Sequence, residues 1–126
     1  MRTSEGVSMD TLIIGNRTRQ ERRTAIVRAV KSGKPEKAAR LDFASLDDAW
    51  RILSDKRRAI LHVMAGAGPL AIREIARRAS RDVRAVHSDI RVLHHAGVID
   101  KTDDGRMILP YKTIKFDFTL NTREAA

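Results

Sequence analysis

The chain has 126 residues, 42% hydrophobic and only 4% aromatic, which suits one small domain with an appendage and a core of Ile, Leu, Val and Ala. Its formal net charge is +9 and its pI is near 10.8, which favours polyanionic partners without separating DNA from RNA, an anionic membrane or an acidic protein. The absence of cysteine excludes disulfides, thiolate catalysis and Cys-ligated zinc, while no apolar run nears the ~20 residues of a membrane span.

Residues 1–8 are small, polar and unpatterned, and read as a disordered tail. Their lack of a signal-peptide pattern leads us to expect a cytoplasmic protein without a membrane partner. Thr11-Leu12-Ile13-Ile14 is strand-like. A basic helix is expected from Arg17 to Lys31, with Ile26, Val27 and Val30 on one side and a stop at Gly33 and Pro35. Ala39 to Ala44 reads as a second short strand. Residues 9–44 thus form a basic strand-helix-strand extension. Residues 1–40 hold ten basic and four acidic side chains, a net of +6, against fifteen and twelve in residues 41–126, a net of +3.

Ser45 is placed to cap a helix whose apolar stripe is Leu46, Ala49, Trp50 and Leu53. Ser54-Asp55 starts another, with Ile60, Leu61, Val63 and Met64 inward and His62 partly buried. Gly66-Ala67-Gly68-Pro69 breaks the chain. A helix from Ala71 to Ala79 follows, with Ile72, Ile75, Ala76 and Ala79 apolar. Ser80 is expected to cap the next helix, with Asp82 in its first turn. In that helix Val83, Val86, Ile90 and Leu93 share one face, and Gly97 ends it. Val98 to Lys101 and Arg106 to Leu109 read as strands around Thr102-Asp103-Asp104-Gly105, a strong hairpin signal. Ile114, Phe116, Phe118 and Leu120 alternate with polar residues as a half-buried strand. Residues 121–126 read as a tail. The expected fold is α+β, mainly α: a winged helix-turn-helix over residues 45–120, preceded by the extension and closed by a C-terminal strand.

A helix-turn-helix needs a bracing helix, a short turn, and a second helix with one buried and one polar face. Opposite Val86, Ile90 and Leu93 fall Arg84, Ser88, Arg91 and His95. Arg84, Ser88 and Arg91 are the candidates for base reading, since Arg bonds guanine O6 and N7 in a bidentate way and Ser meets either kind of base edge. Arg77, Arg78 and an outward-pointing Arg81 are candidates for phosphate contact, which positions without specifying sequence. Lys101 and Arg106 flank the hairpin tip, the wing, and are placed to touch the DNA backbone. Asp103 and Asp104 at that tip would be repelled there.

Leu70-Ala71-Ile72-Arg73-Glu74-Ile75-Ala76, then Val83, Val86, Ile90, Leu93 and Gly97-Val98-Ile99, resemble the MarR/ArsR-like winged-helix transcriptional regulators. Ala71 departs from the Ser or Thr cap common there. More narrowly, Phe43-Ala44-Ser45-Leu46, Leu53-Ser54-Asp55-Lys56-Arg57 and Phe116-Asp117-Phe118 resemble small regulators of the TumA-type antitoxin group. The resemblance implies a homodimer binding double-stranded DNA at a pseudo-palindromic operator, repressing its own operon. For the narrower group it implies a cognate toxin protein, with residues 9–44 as the candidate gripping surface. Those residues read equally as a basic flap that packs on the domain or supports dimerisation.

Nothing in the pattern points to an enzyme, a metal site or a cofactor. The histidines are His62, His87, His94 and His95, and adjacent His94 and His95 point about 100° apart on a helix. No His-Glu-x-x-His, phosphate loop or nucleophile elbow appears. Asp89 is expected to form a salt bridge on its own helix. RNA binding would call for exposed stacking aromatics, whereas Tyr111, Phe116 and Phe118 alternate like a core strand. The alternative function is a protein-interaction module, in which the winged helix serves docking or dimerisation rather than DNA readout.

Overall fold

The computed structural model describes residues 10–34 and 38–122; the expected tail at 1–8, Pro35, and residues 123–126 of the expected C-terminal tail lie outside the described residues. The described residues form five helices and five short strands, an α+β protein. They fall into two units, one comprising the chain up to Asp48 together with the chain from Thr113 onward, the other Ala49–Lys112.

In the first unit β1 (Thr11–Gly15) is the central strand of a three-stranded sheet, between β2 (Ala39–Asp42) and β5 (Thr113–Asp117). Both pairings are parallel. Leu12 lies opposite Ala39 and Ile114, and Ile14 opposite Leu41 and Phe116, so one face is apolar. Leu12 and Ile14 are buried on it. The other face sets Ile13 beside Arg40 and Lys115, and Gly15 beside Asp42 and Asp117.

Parallel neighbours cannot be joined by a tight turn, and α1 (Arg19–Ser32) makes the crossover from β1 to β2. Its N-terminus carries a full capping box: Thr18 Oγ1 accepts the Glu21 N–H, and Glu21 accepts the Thr18 N–H. Gly33, at φ 73°, closes the other end in the left-handed conformation. No residue of α1 is buried, and Ile26, Val27 and Val30 are all exposed. Good caps and good helix formers hold this helix more than packing does.

The alternating pattern predicts a last strand that runs to Leu120 and belongs with residues 45–120. The strand instead ends at Asp117, and its backbone pairs with β1. Asn16 intercepts the next backbone polar groups: its Nδ2 donates to Thr119 O at 2.9 Å, and its Oδ1 accepts the Thr119 N–H at 3.0 Å. Leu120 is left exposed.

The division between units falls within α2 (Leu46–Ile52). As expected, Ser45 caps it, accepting the Asp48 N–H. In the second unit α3 (Asp55–Met64) starts from Ser54, whose hydroxyl accepts the Arg57 N–H. Next come α4 (Ile72–Ala79) and α5 (Val83–Ala96), then a hairpin of β3 (Asp100–Lys101) and β4 (Met107–Ile108). Ala49, Leu53, Ile60, Met64, Ile75, Val86, Ile90 and Leu93 are buried and form the core of this unit.

Leu46 and Trp50 of the expected apolar stripe are exposed, Val63 is half-buried, and His62 is more exposed than the partial burial expected of it. Trp50 is exposed and lies under the Arg58 guanidinium, 5.3 Å from ring centroid to charge, a cation–π arrangement. His62 is exposed on α3. The hairpin strands are shorter than the pattern suggested, but Leu70 adds to them: it exchanges two backbone hydrogen bonds of 2.8 Å with Met107. That bridge fixes the entry to α4, where Ala71 supplies no side-chain cap.

Ser80 follows α4 at φ 55°, and it is the non-glycine residue with positive φ among the described residues. A left-handed backbone costs a residue with a Cβ about 1–2 kcal/mol, partly offset by the greater chain entropy glycine loses on folding. Ser80→Gly is expected to raise the unfolding free energy by about 0.5–1 kcal/mol in urea titrations; a loss of stability would contradict the assignment.

Candidate nucleic-acid interface

The turn between α4 and α5 is built by Ser80, Arg81 and Asp82. The Ser80 N–H reaches Arg77 O at 3.1 Å and the Arg81 N–H reaches Ala76 O at 3.0 Å, which closes α4. Asp82 then accepts the backbone N–H of Arg84 at 3.0 Å and of Ala85 at 3.3 Å. Asp82, not Ser80, is therefore the cap of α5. The left-handed Ser80 belongs to the end of α4, and only Asp82 stands immediately before the helical residues.

Helical spacing sorts α5 into two sides. Val86, Ile90 and Leu93 are buried, while Arg84, Ser88 and Arg91 are exposed at positions i, i+4 and i+7 of one face. Neither the Arg84 nor the Arg91 guanidinium pairs with a described residue. The three base-reading candidates are thus brought together in one row. His87, which the sequence reading left out, is exposed beside it, as are His94 and His95. Val83, expected on the buried face, is 43% exposed; it is the first helical residue, and the apolar face starts at Val86.

The phosphate candidates divide. Arg77 and Arg78 are exposed on α4 but share Glu74, with Arg77 Nε 3.0 Å from Oε1 and Arg78 Nε 2.7 Å from Oε2. Hydrogen bonds from Arg77 and then Arg78 hold the Glu74 carboxyl down at about 2, against an ordinary 4.5. The cluster keeps one net positive charge.

Arg81 does not point outward. Its Nη1 is 2.9 Å from Asp89 Oδ2, and Arg57 Nε is 3.0 Å from the other carboxylate oxygen. The three side chains are only 21%, 14% and 21% exposed. Arg81 Nη1 is buried without an aligned hydrogen bond, so its tie to Asp89 is mainly Coulombic. Asp89 therefore forms no pair within its own helix; it joins α5 to α3 and to the turn. Arg57 also donates through Nη1 to Arg51 O at 3.1 Å and Ile52 O at 3.2 Å, satisfying the free carbonyls at the end of α2. No local spacing announces this network, because Arg57 and Asp89 are 32 residues apart.

At the hairpin tip Asp104 turns back on its own loop. It accepts from the Thr102 hydroxyl and lies 3.0 Å from Arg106 Nε. The Thr102 hydroxyl, then the Arg106 N–H, hold its carboxyl below the ordinary range. Of the two wing candidates, Arg106 is engaged by Asp104, whereas Lys101 is exposed and meets no described partner. The repulsion expected from two tip carboxylates rests on Asp103. Among the described residues no three His, Asp or Glu side chains gather as a metal site. No described helix is long and apolar enough to cross a membrane.

The fold and this site define a small α+β protein in which a bundle of short helices carries a β-hairpin and an exposed cationic row. Residues 52–116, more than half of the chain, match the family HVO_A0114, and the chain belongs to that family. No curated protein matches the chain.

Two outcomes follow from these ion pairs. Asp89→Asn leaves Arg57 and Arg81 facing each other without a carboxylate, and is expected to lower the unfolding free energy by roughly 1–3 kcal/mol; unchanged urea stability would contradict the bridging role. Because the folded-state Glu74 carboxyl is depressed to about 2, its pairing favours the folded state above an ordinary 4.5, and the benefit is lost as pH falls toward 2. Carboxyl NMR titration should find the Glu74 midpoint below the ordinary 4.5 in the native protein and closer to it once Arg77 and Arg78 are replaced by Ala.

Proposed function

We propose that the chain is a winged helix-turn-helix transcriptional regulator that reads double-stranded DNA with α5 in the major groove. The observation that carries this reading is the row Arg84, Ser88 and Arg91, exposed opposite Val86, Ile90 and Leu93, with both guanidiniums free of described partners. A paired guanidinium must break its pair before it can meet a base edge. An unpaired one on a helix braced from behind loses little on binding. Arg77 and Arg78 supply phosphate contacts from α4, and Lys101 supplies one from the hairpin. Arg81 has no such role in this reading, since it belongs to the Asp89 bridge.

The resemblance to MarR/ArsR-like regulators adds a homodimer on a pseudo-palindromic operator and repression of its own operon. The narrower resemblance adds a cognate toxin partner. One observation favours the other reading, a winged helix used for docking. The hairpin tip holds Arg106 against Asp104 and presents Asp103, which suits a phosphate-lined groove poorly.

Selection from a pool of random duplexes is expected to yield a consensus site. Arg84→Ala and Arg91→Ala should each weaken binding to it by about 10–100-fold, the equivalent of roughly 1–3 kcal/mol per bidentate base contact, and should relax the consensus locally. Lys101→Ala should weaken all sequences alike and flatten the salt dependence by about one unit of slope. Circular dichroism should show both arginine variants folded. A pool without a consensus, or unchanged affinity in both folded variants, would favour docking.

A further inference from the structure

Between α1 and the polar face of the sheet lies a cleft of about 440 Å³. Arg17, Arg28, Lys34 and Arg40 line it, with Asp117 as its carboxylate and Ile13 on its floor. We propose that this cleft binds a phosphorylated, hydroxyl-bearing small molecule of nucleotide size. The site lies outside α4, α5 and the hairpin, and goes beyond the DNA-reading proposal.

The cleft exists because α1 does not settle onto the sheet. Its walls on the helix side are Ala25 and Ala29, one turn apart and too small to fill the space. No residue of the helix is buried, and the caps at Thr18 and Gly33 keep it formed without that packing. The volume falls in the range of small-molecule sites, about 300–1,000 Å³.

The cations are arranged rather than scattered. Arg40 is held by Asp42 at 2.8 Å, and the Asp42 side chain is almost wholly buried. Gly15 lets that guanidinium lie across the end of β1: a Cβ there would stand 2.7 Å from Arg40 Nη2 and 2.6 Å from Asp117 O. The Arg17 N–H donates to the same Asp42 at 3.0 Å, which sets the path from β1 into α1. Arg28 and Lys34 have no side-chain partner among the described residues, which places them to meet a phosphate.

The topology favours one end of the cleft. The chain runs from the central β1 to β2 on one side, while β5 pairs on the other. In open parallel sheets, ligands settle at the carboxyl ends of strands where the connection changes direction. Arg17 follows β1 and Asp117 ends β5 at that end, while Lys34 and Ala38, which precede β2, line the opposite end. Asp117 is an unfavourable neighbour for phosphate but a good acceptor for sugar hydroxyls. Arg28 and Lys34 therefore suit a phosphate, and Asp117 suits a polyol carried by the same ligand.

Calorimetric titration of the full chain with ADP and with pyrophosphate tests this. Both are expected to bind saturably at one site per chain, ADP more tightly. Arg28→Ala combined with Lys34→Ala should weaken both at least tenfold. Asp117→Asn should weaken ADP several-fold and leave pyrophosphate unchanged. Three results would each overturn the proposal: no saturable heat with either ligand at millimolar concentration, binding that ignores the double substitution, or ADP binding no better than pyrophosphate. Loss of duplex affinity in the double variant, with neither small ligand bound, would make the cleft part of a nucleic-acid surface and also overturn it.

Discussion

The Asp89 carboxylate holds two guanidiniums that reach it from different parts of the chain, Arg57 on α3 and Arg81 in the turn before α5. All three side chains are mostly withdrawn from water, where an unmatched charge is costly and a matched one is strongly constrained. The bridge limits how α5 can rotate about its own axis. Hydrophobic burial of Val86, Ile90 and Leu93 selects the same rotation independently. Burial alone is tolerant of small rotations, whereas the aligned Arg57–Asp89 hydrogen bond, backed by the charge of Arg81, is less so. The outward direction of Arg84, Ser88 and Arg91 follows from the two constraints together.

That division of labour runs through the basic side chains of the second unit. Some arginines are structural: Arg57 and Arg81 on Asp89, Arg58 over Trp50. Arg77 and Arg78 are loosely engaged at the surface on Glu74, a pairing that screening weakens and that contributes little to stability. Arg84 and Arg91 are uncommitted. The net charge of +9 therefore says less about partners than the handful of cations left without a carboxylate. In the first unit the same sorting applies, with Arg40 fixed on Asp42 while Arg28 and Lys34 have no side-chain partner among the described residues.

Local signals in the sequence located most elements. Gly33 and Gly97 end their helices in left-handed conformations, and Ser45 and Ser54 cap theirs, because such caps depend on neighbours one to three residues away. The rows Val86, Ile90, Leu93 and Arg84, Ser88, Arg91 were legible for the same reason: a helix converts spacing directly into direction. Residue type does not separate the roles of Ser80 and Asp82, since either can cap α5. What decided it was the left-handed backbone at Ser80, which no pattern encodes. Contacts distant in sequence were not legible. The alternation from Ile114 onward suggested a strand, yet nothing in it named β1 as the partner or Asn16 as the residue that binds Thr119. Arg81 and Asp89 looked like surface charges because Arg57, the residue that makes them a network, lies far away in the chain.

The most direct measurement is amide chemical-shift mapping of the labelled full chain during titration with the duplex it selects. If α5 is the reading element, the largest changes fall on Arg84, Ser88 and Arg91, with smaller ones at Arg77, Arg78 and Lys101, while Arg81 and Asp89 keep their side-chain contacts. Shifts confined to residues outside α4, α5 and the hairpin, or rearrangement of the Asp89 bridge on binding, would contradict the account.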